Sequence, residues 1–170
     1  MKQTAPRLLA LVLMAASGSA QAAARLGQPA PEVVMPELSG QTFDLAEARG
    51  KVVILSLWAT WCAPCRGEMP ILNGIYLRRH SEGLEVIGMS ADRLKSRDEV
   101  RRAMEPFAYP SGMALEAKTN GFGVPRALPQ TFVIDRNGVV RAQFGVLGQP
   151  ATEAGLEAAV QPLLVEPPGR

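Results

Sequence analysis

The chain has 170 residues, with 18 Lys and Arg against 16 Asp and Glu, and 47% of its residues are hydrophobic. This length is typical of a single domain with its own core. Two of the basic residues, Lys2 and Arg7, lie in a segment that we expect to be removed, which leaves 16 basic and 16 acidic residues. A net charge of zero speaks against a nucleic acid as partner, and we expect none.

The N-terminal segment has the pattern of a secretory signal peptide. Lys2 and Arg7 precede an apolar run over 8–16, and the small-x-small pattern within 19–22 offers a cleavage site after Ala22, with Ala24 as the alternative. The run is shorter than the roughly 20 residues that a membrane-spanning helix needs. We therefore expect residues 1–22 to be a signal peptide and the mature protein to be periplasmic. Retention of the segment as an N-terminal anchor is the alternative.

Strand and helix patterns alternate along the rest of the chain. The predicted strands cover 32–35, 41–44, 52–58, 84–90, 113–116, 130–135 and 139–144. The predicted helices cover 63–79, a stretch from a capping-box-like start at 96 to about 107, and 152–164, with one helical turn at 45–49.

The connections between these elements complete the expected organisation. A turn is predicted at 110–112, an irregular stretch at 118–128, and an Asn-Gly hairpin turn at 137–138. Strands that alternate with helices and end in a hairpin and a helix predict an α/β layer fold with a mixed central sheet. We expect one domain over 25–165, followed by a disordered tail at 166–170.

The only two cysteines, Cys62 and Cys65, lie where the strand at 52–58 gives way to the helix at 63–79. The first N–H groups of a helix lack intrahelical partners and, together with the helix dipole, favour a negative group such as a thiolate. Cysteines so placed in Cys-X-X-Cys have pKa values of about 3.5–7.5, against about 8.5 for a free thiol. Pro64 suits the first helical turn. So short a loop constrains the unfolded chain little, which favours a redox role over a structural one.

Two segments carry a resemblance to a known family. The first is Trp-Ala-Thr-Trp-Cys-Ala-Pro-Cys at 58–65, and the second is Leu-Pro-Gln-Thr-Phe-Val-Ile-Asp at 128–135. Together they resemble the TlpA/ResA-like (CcmG-like) exported thioredoxins, and the likeness covers nearly all of the mature chain. It implies an α/β thioredoxin fold, with a mixed central sheet flanked by helices, an N-terminal β-hairpin and a central strand–helix insertion at 84–115.

The resemblance also implies roles for individual residues. Cys62 would be the exposed attacking thiol and Cys65 the resolving thiol, and the two would form a redox-active disulfide. Pro129 would be a cis-proline that faces the cysteines. Trp61 and Pro64 would contribute to substrate binding as apolar surface beside the cysteines.

Two further positions complete the implied site. The backbone of Leu128 would pair with an extended substrate segment beside the cis-proline. The second tryptophan of the motif, Trp58, is expected in the core.

Glu68 follows Cys65 by three residues and projects from nearly the same face of the helix. Exported members of the family carry an acid here, and it would accept and return the proton of Cys65. The alternative is a solvated residue that the dipole favours in the first turn. Ser56 stands where cytoplasmic thioredoxins have a buried Asp, so Glu68 is the acid candidate within the motif.

The function that the resemblance implies is a thiol:disulfide oxidoreductase that reduces client proteins. Its clients would be apocytochrome c or copper-site cysteines, and its electron donor a membrane thiol-transfer protein of the DsbD/CcdA type. We expect a monomer that needs no cofactor and holds no resident metal.

Other functions compete with this one. A disulfide oxidase or isomerase would use the same cysteines. A copper(I) chaperone could use the two thiolates. Zinc prefers four ligands, whereas the chain has two cysteines and one histidine. Covalent haem attachment needs a histidine directly after the second cysteine, and this position is Arg66.

Overall fold

The computed structural model describes residues 24–146 and 148–166. The predicted signal peptide and residues 167–170 of the predicted tail lie outside the described residues. Within the described part, the strands are β1 (Val33–Pro36), β2 (Thr42–Asp44), β3 (Val52–Trp58), β4 (Leu84–Ser90), β5 (Ser111–Met113), β6 (Thr119–Asn120), β7 (Gln130–Ile134) and β8 (Val140–Gly145). The α-helices there are α1 (Ala63–Arg79), α2 (Arg97–Met104) and α3 (Glu153–Val165).

The central sheet has the order β5-β4-β3-β7-β8. Strands β3, β4 and β5 run parallel, whereas β7 is antiparallel to β3 and β8 is antiparallel to β7. All seven residues of β3 are buried, as the continuous apolar run predicts for a central strand covered on both faces. The predicted mixed sheet and thioredoxin fold are therefore confirmed.

Alternate residues of β3 belong to two different parts of the core, as the two-residue period of a strand requires. Val52, Ile54 and Trp58 pack in a cluster with the buried faces of α1, α2 and α3. Val53, Leu55 and Leu57 pack in a second cluster that includes residues of β1. Ser56 therefore points toward the helices, on the same face as Ile54 and Trp58.

A small antiparallel sheet of order β2-β1-β6 lies outside the central one. The predicted N-terminal hairpin is confirmed, with Met35 opposite Phe43. The stretch 118–128 is less irregular than predicted, because Thr119 and Asn120 form β6 and pair with β1. No helix in the described part of the chain has the length and apolarity needed to cross a membrane.

The prediction for residues 110–116 was wrong. The expected turn at 110–112 is largely strand β5, parallel to β4, and the expected strand at 113–116 is mostly a 3₁₀ turn at Ala114–Glu116. Gly112 was interpreted as a turn residue, but a Cβ there would collide with the carbonyl oxygen of Pro36. This glycine is needed for close approach of two chains rather than for a turn.

Two smaller predictions also differ from the structure. The helix expected to reach Phe107 ends at Met104, since Pro106 has no backbone N–H and cannot continue the helical hydrogen bonds. The expected capping box is absent, because Ser96 closes a 3₁₀ turn and makes no side-chain capping bond. Residues 45–49 form successive turns rather than a helical turn.

Candidate active site

Cys62 is the N-cap residue of α1. Its backbone is extended, with φ −88° and ψ 99°, and the helix begins at Ala63 with Pro64 in its first turn. The backbone N–H of Cys65 donates to Cys62 Sγ at 3.2 Å. The predicted placement of the pair at the junction of strand and helix is confirmed, and the structure holds Cys62 and Cys65 as a disulfide.

The expectation that Cys62 is exposed was wrong for this oxidised state. Cys62 is 5% exposed and Cys65 is 1% exposed. The N-cap geometry directs Sγ of Cys62 back toward the first turn of the helix, where its bond to Cys65 holds it against the core. Cys62 is still the more accessible of the two cysteines.

The two tryptophans of the motif separate as predicted. Trp61, adjacent to Cys62, is 70% exposed, whereas Trp58 is 1% exposed. The indole Nε1–H of Trp58 donates to Ser111 Oγ at 3.3 Å, so its buried polar group is satisfied. Pro64 is also exposed. Trp61 and Pro64 thus flank the disulfide with apolar surface.

A buried carboxylate holds the loop that leads into the disulfide, and the sequence analysis missed it. Asp92 is 3% exposed. It accepts hydrogen bonds from Thr60 N at 2.8 Å, from Thr60 Oγ1 at 2.7 Å and from Ser90 Oγ at 2.8 Å. The signal that could have found it is the polar Ser-Ala-Asp that ends β4, since the carboxyl ends of adjacent parallel strands meet at one edge of the sheet.

The Leu128–Pro129 peptide bond is cis, as predicted. Leu128 is half-buried and packs against the cluster that contains both cysteines. The carbonyl of Pro129 accepts a hydrogen bond from Val146 N at 3.0 Å. Gly145 lies against the same carbonyl with φ +99°, and a Cβ at this position would collide with the carbonyl oxygen. The sequence analysis did not identify Gly145 as a support of the proline.

Glu68 is only 8% exposed, so the alternative of a solvated residue was wrong. One of its carboxylate oxygens, Oε2, lies 3.1 Å from Thr131 Oγ1. Burial raises the pKa of Glu68 above its ordinary value of 4.5, although the hydrogen bond with Thr131 acts in the opposite direction. A carboxyl group with a raised pKa, one helical turn from Cys65, is suited to take up a proton.

Metal-ligating side chains are sparse around the disulfide. Across residues 24–146 and 148–166, no group of three or more His, Cys, Asp and Glu side chains is placed to hold a metal ion.

Comparisons with known proteins place these features in context. A family model described as the AhpC/TSA family matches residues 26–143. Thiol-disulfide oxidoreductase ResA of Geobacillus thermodenitrificans is 32% identical over 145 residues, covering 79% of this chain and 82% of the relative.

Solved structures show the same likeness. One is a thiol:disulfide interchange protein of the thioredoxin family from Chlorobium tepidum, with TM-score 0.66 and 28% identity over 84% of this chain and 99% of that one. Another is a secreted thiol-disulfide isomerase from Corynebacterium glutamicum, with TM-score 0.66 and 28% identity over 80% of this chain and 85% of that one.

Proposed function

This chain belongs to the AhpC/TSA family and is a thiol–disulfide oxidoreductase of the thioredoxin fold. We propose that it is exported from the cytoplasm and reduces the disulfides of client proteins outside the cytoplasm. The observation that carries the proposal is the Cys62–Cys65 disulfide at the start of α1, with buried Glu68 one turn further along the helix. Export is supported by the signal-peptide pattern at 1–22 and by the similarity to a secreted isomerase.

The reaction begins at Cys62 in the reduced protein. The N–H of Cys65, which lies 3.2 Å from Cys62 Sγ, and the positive end of the α1 dipole favour a thiolate on Cys62. This thiolate attacks one sulfur of the client disulfide. A bond forms between Cys62 and the client, and the second client sulfur leaves as a thiolate. Trp61, Pro64 and the backbone of Leu128 are the groups that we expect to contact the client.

The second step resolves this mixed disulfide. The Cys65 thiol gives its proton to the Glu68 carboxylate, and the Cys65 thiolate attacks Cys62 Sγ. The bond between Cys62 and the client breaks, the Cys62–Cys65 disulfide forms, and the second client thiolate leaves. Two electrons have passed from the enzyme dithiol to the client, and Glu68 returns its proton to a departing sulfur or to water.

The proposed direction is reduction. Oxidases of the DsbA type carry a large helical insertion before the cis-proline, whereas the segment between the end of α1 and Pro129 here holds strands β4 to β6 and one α-helix, the eight-residue α2. An oxidising compartment would return the enzyme to its disulfide form, so the cycle needs an electron donor. We propose a membrane thiol-transfer protein of the DsbD/CcdA type for this role.

The reduction potential of the mature protein tests the direction. Potentials in this superfamily run from about −270 mV for thioredoxin to about −120 mV for DsbA, and the proposal predicts a value toward the thioredoxin end. A potential close to −120 mV would contradict it. Tight one-to-one copper(I) binding without any disulfide reductase activity would favour the chaperone function instead.

A trapping experiment tests the roles of the two cysteines on a peptide of the proposed client class. Cys65→Ser leaves Cys62 able to attack but removes the resolving thiol, so a mixed disulfide should accumulate with an oxidised Cys-X-X-Cys-His peptide, the cysteine pattern of an apocytochrome c. Cys62→Ser is the matched control and should trap nothing. Equal trapping by both variants would contradict the roles proposed for Cys62 and Cys65.

A further inference from the structure

Three buried polar side chains form a hydrogen-bonded chain behind the disulfide. Ser56 on β3 and Thr131 on β7 are direct partners in the register of the two strands. Thr131 Oγ1 lies 3.2 Å from Ser56 Oγ and 3.1 Å from Glu68 Oε2. The exposed fractions are 4% for Ser56, 0% for Thr131 and 8% for Glu68. The middle hydroxyl therefore joins the sheet to the carboxyl group on α1.

The proton count of this chain limits its arrangement. A hydroxyl has one proton to donate, and an ionised carboxylate can only accept. When Glu68 is ionised, Thr131 must donate to Glu68, and Ser56 can donate to Thr131. When Glu68 carries a proton on Oε2, it can donate to Thr131, which then donates to Ser56. Both arrangements keep the buried groups hydrogen-bonded, which matters because an unpaired buried polar group is costly.

We propose that Thr131 is a positioning residue for proton transfer at Cys65, and that its hydroxyl holds Glu68 Oε2 in both protonation states because Ser56 behind it can accept or donate. The inference rests on the proposed function, in which Glu68 takes the proton of Cys65. Thr131 itself gains and loses no proton. The O–H group of Thr131 turns from Glu68 toward Ser56 when Glu68 gains its proton, and it turns back when Glu68 loses that proton.

The surroundings of Glu68 leave Thr131 as the group that adjusts its proton affinity. Burial raises the pKa of Glu68, and the hydrogen bond from Thr131 is the opposing influence. Among the described residues, the other titratable side chain that interacts with Glu68 is Tyr109, which is 3% exposed. Burial and the charge of Glu68 raise the pKa of Tyr109, so it stays neutral in the working range. Cys65, on α1 itself, becomes a titratable neighbour when the disulfide is reduced.

The test removes each hydroxyl in turn. Thr131→Val deletes the hydroxyl that contacts Glu68 and keeps a β-branched side chain suited to a strand. Ser56→Ala is the comparison variant, since it keeps the hydroxyl that contacts Glu68 and deletes the one that accepts from Thr131 when Glu68 is protonated. Thr131→Ser restores a hydroxyl at the first position, and Thr131→Ala carries the same test as Thr131→Val if the valine variant does not fold.

Two readouts apply to each variant. The first is the titration of the Glu68 side-chain carboxyl carbon by ¹³C NMR in the oxidised protein, which needs no activity. The second is the pH dependence of the single-turnover rate at which Cys65 resolves a mixed disulfide with the Cys-X-X-Cys-His peptide. A hydrogen bond to the charged carboxylate is stronger than one to the neutral carboxyl group by about 1–1.5 kcal/mol. Because Thr131 bonds Glu68 in both states, Thr131→Val should raise the proton affinity of Glu68 by this difference, roughly five- to tenfold. The rate profile should move toward alkaline pH by the same factor.

The outcomes separate the inference from the function on which it rests. Ser56→Ala should lower the proton affinity of Glu68, because protonated Glu68 then loses the arrangement in which Thr131 donates to Ser56. Thr131→Ser should return the proton affinity of Glu68 most of the way to the wild-type value. An unmoved Glu68 titration in Thr131→Val, or a rise of the same size in Ser56→Ala, would overturn the role of Thr131 and leave that of Glu68 intact. A moved titration with an unmoved rate profile would overturn the proton-accepting role of Glu68, and with it the catalytic meaning of Thr131.

Discussion

Asp92 offers a strong perturbation that leaves both cysteines in place. Its carboxylate accepts three hydrogen bonds, two of them from Thr60 in the loop before the disulfide and one from Ser90. Asp92→Ala leaves all three donors without their acceptor. We expect the loop between β3 and α1 to lose its fixed position as a result.

The magnitude follows from the burial of these donors. A buried donor left unsatisfied costs roughly 1–3 kcal/mol. Ser90 is 0% exposed and should show the full cost, whereas water can reach the half-buried Thr60 and reduce its share. The sum for Asp92→Ala is about 3 kcal/mol, a large part of the roughly 5–15 kcal/mol that stabilises a typical domain. Asp92→Asn keeps one acceptor oxygen and should lose about half as much.

Urea unfolding of the oxidised protein measures this loss as a lower midpoint with an unchanged slope. Asp135→Ala is the matched control. Asp135 is also buried, at 8% exposure, and accepts N–H bonds from Asn137 and Val139 at the opposite end of β7. Both variants should be less stable, but only Asp92→Ala should change the rate at which dithiothreitol reduces the disulfide. A loss below about 1 kcal/mol for Asp92→Ala, or an equal effect of both variants on that rate, would refute the reasoning.

Three further predictions follow from the burial, exposure and backbone of the site. Because burial raises the pKa of Glu68 above 4.5, the folded state binds the Glu68 proton more tightly than the unfolded state does. The wild type should therefore lose stability relative to Glu68→Gln as pH rises from about 4.5 through the folded pKa. A constant difference between the melting temperatures of the two proteins across this pH range would contradict the prediction. Trp61→Ala should slow reduction of a protein client several-fold and leave the reaction with dithiothreitol unchanged, whereas Leu77→Ala, which removes an apolar side chain of similar exposure at 64%, should change neither rate. Gly145→Ala should lower the free energy of unfolding in urea by about 2 kcal/mol or more, because φ +99° strains an L residue and the new Cβ meets the Pro129 carbonyl. A loss under about 0.5 kcal/mol would contradict this, since it would show that the carbonyl can move aside.

The long elements could be predicted from sequence because their signals are local. The bounds of β3, α1 and β4 agree with the predicted 52–58, 63–79 and 84–90. Continuous apolar runs mark the two strands, and helical spacing after the cysteines marks the helix. Strands β5 and β6 have only three and two residues, and their neighbours in space, rather than their own sequence, make them extended.

The site divides in the same way. The cysteine pair, the cis-proline and the acid on α1 belong to motifs that can be recognised along the chain. Asp92, Thr131 and Gly145 act through residues that lie far away in sequence, so their contacts appear only when the sheet order is known. The burial of Cys62 was also beyond the sequence, because it depends on the oxidised geometry of the helix N-terminus.

The ionisation of Cys62 is the measurement that tests the proposed mechanism most directly. Absorbance at 240 nm reports thiolate formation, and the reduced Cys65→Ser variant contains Cys62 as its only thiol. The mechanism predicts a Cys62 pKa within the range of about 3.5–7.5 that helix N-termini give to such cysteines. A Cys62 pKa of about 8.5, the value of a free thiol, would contradict the proposed attack by Cys62.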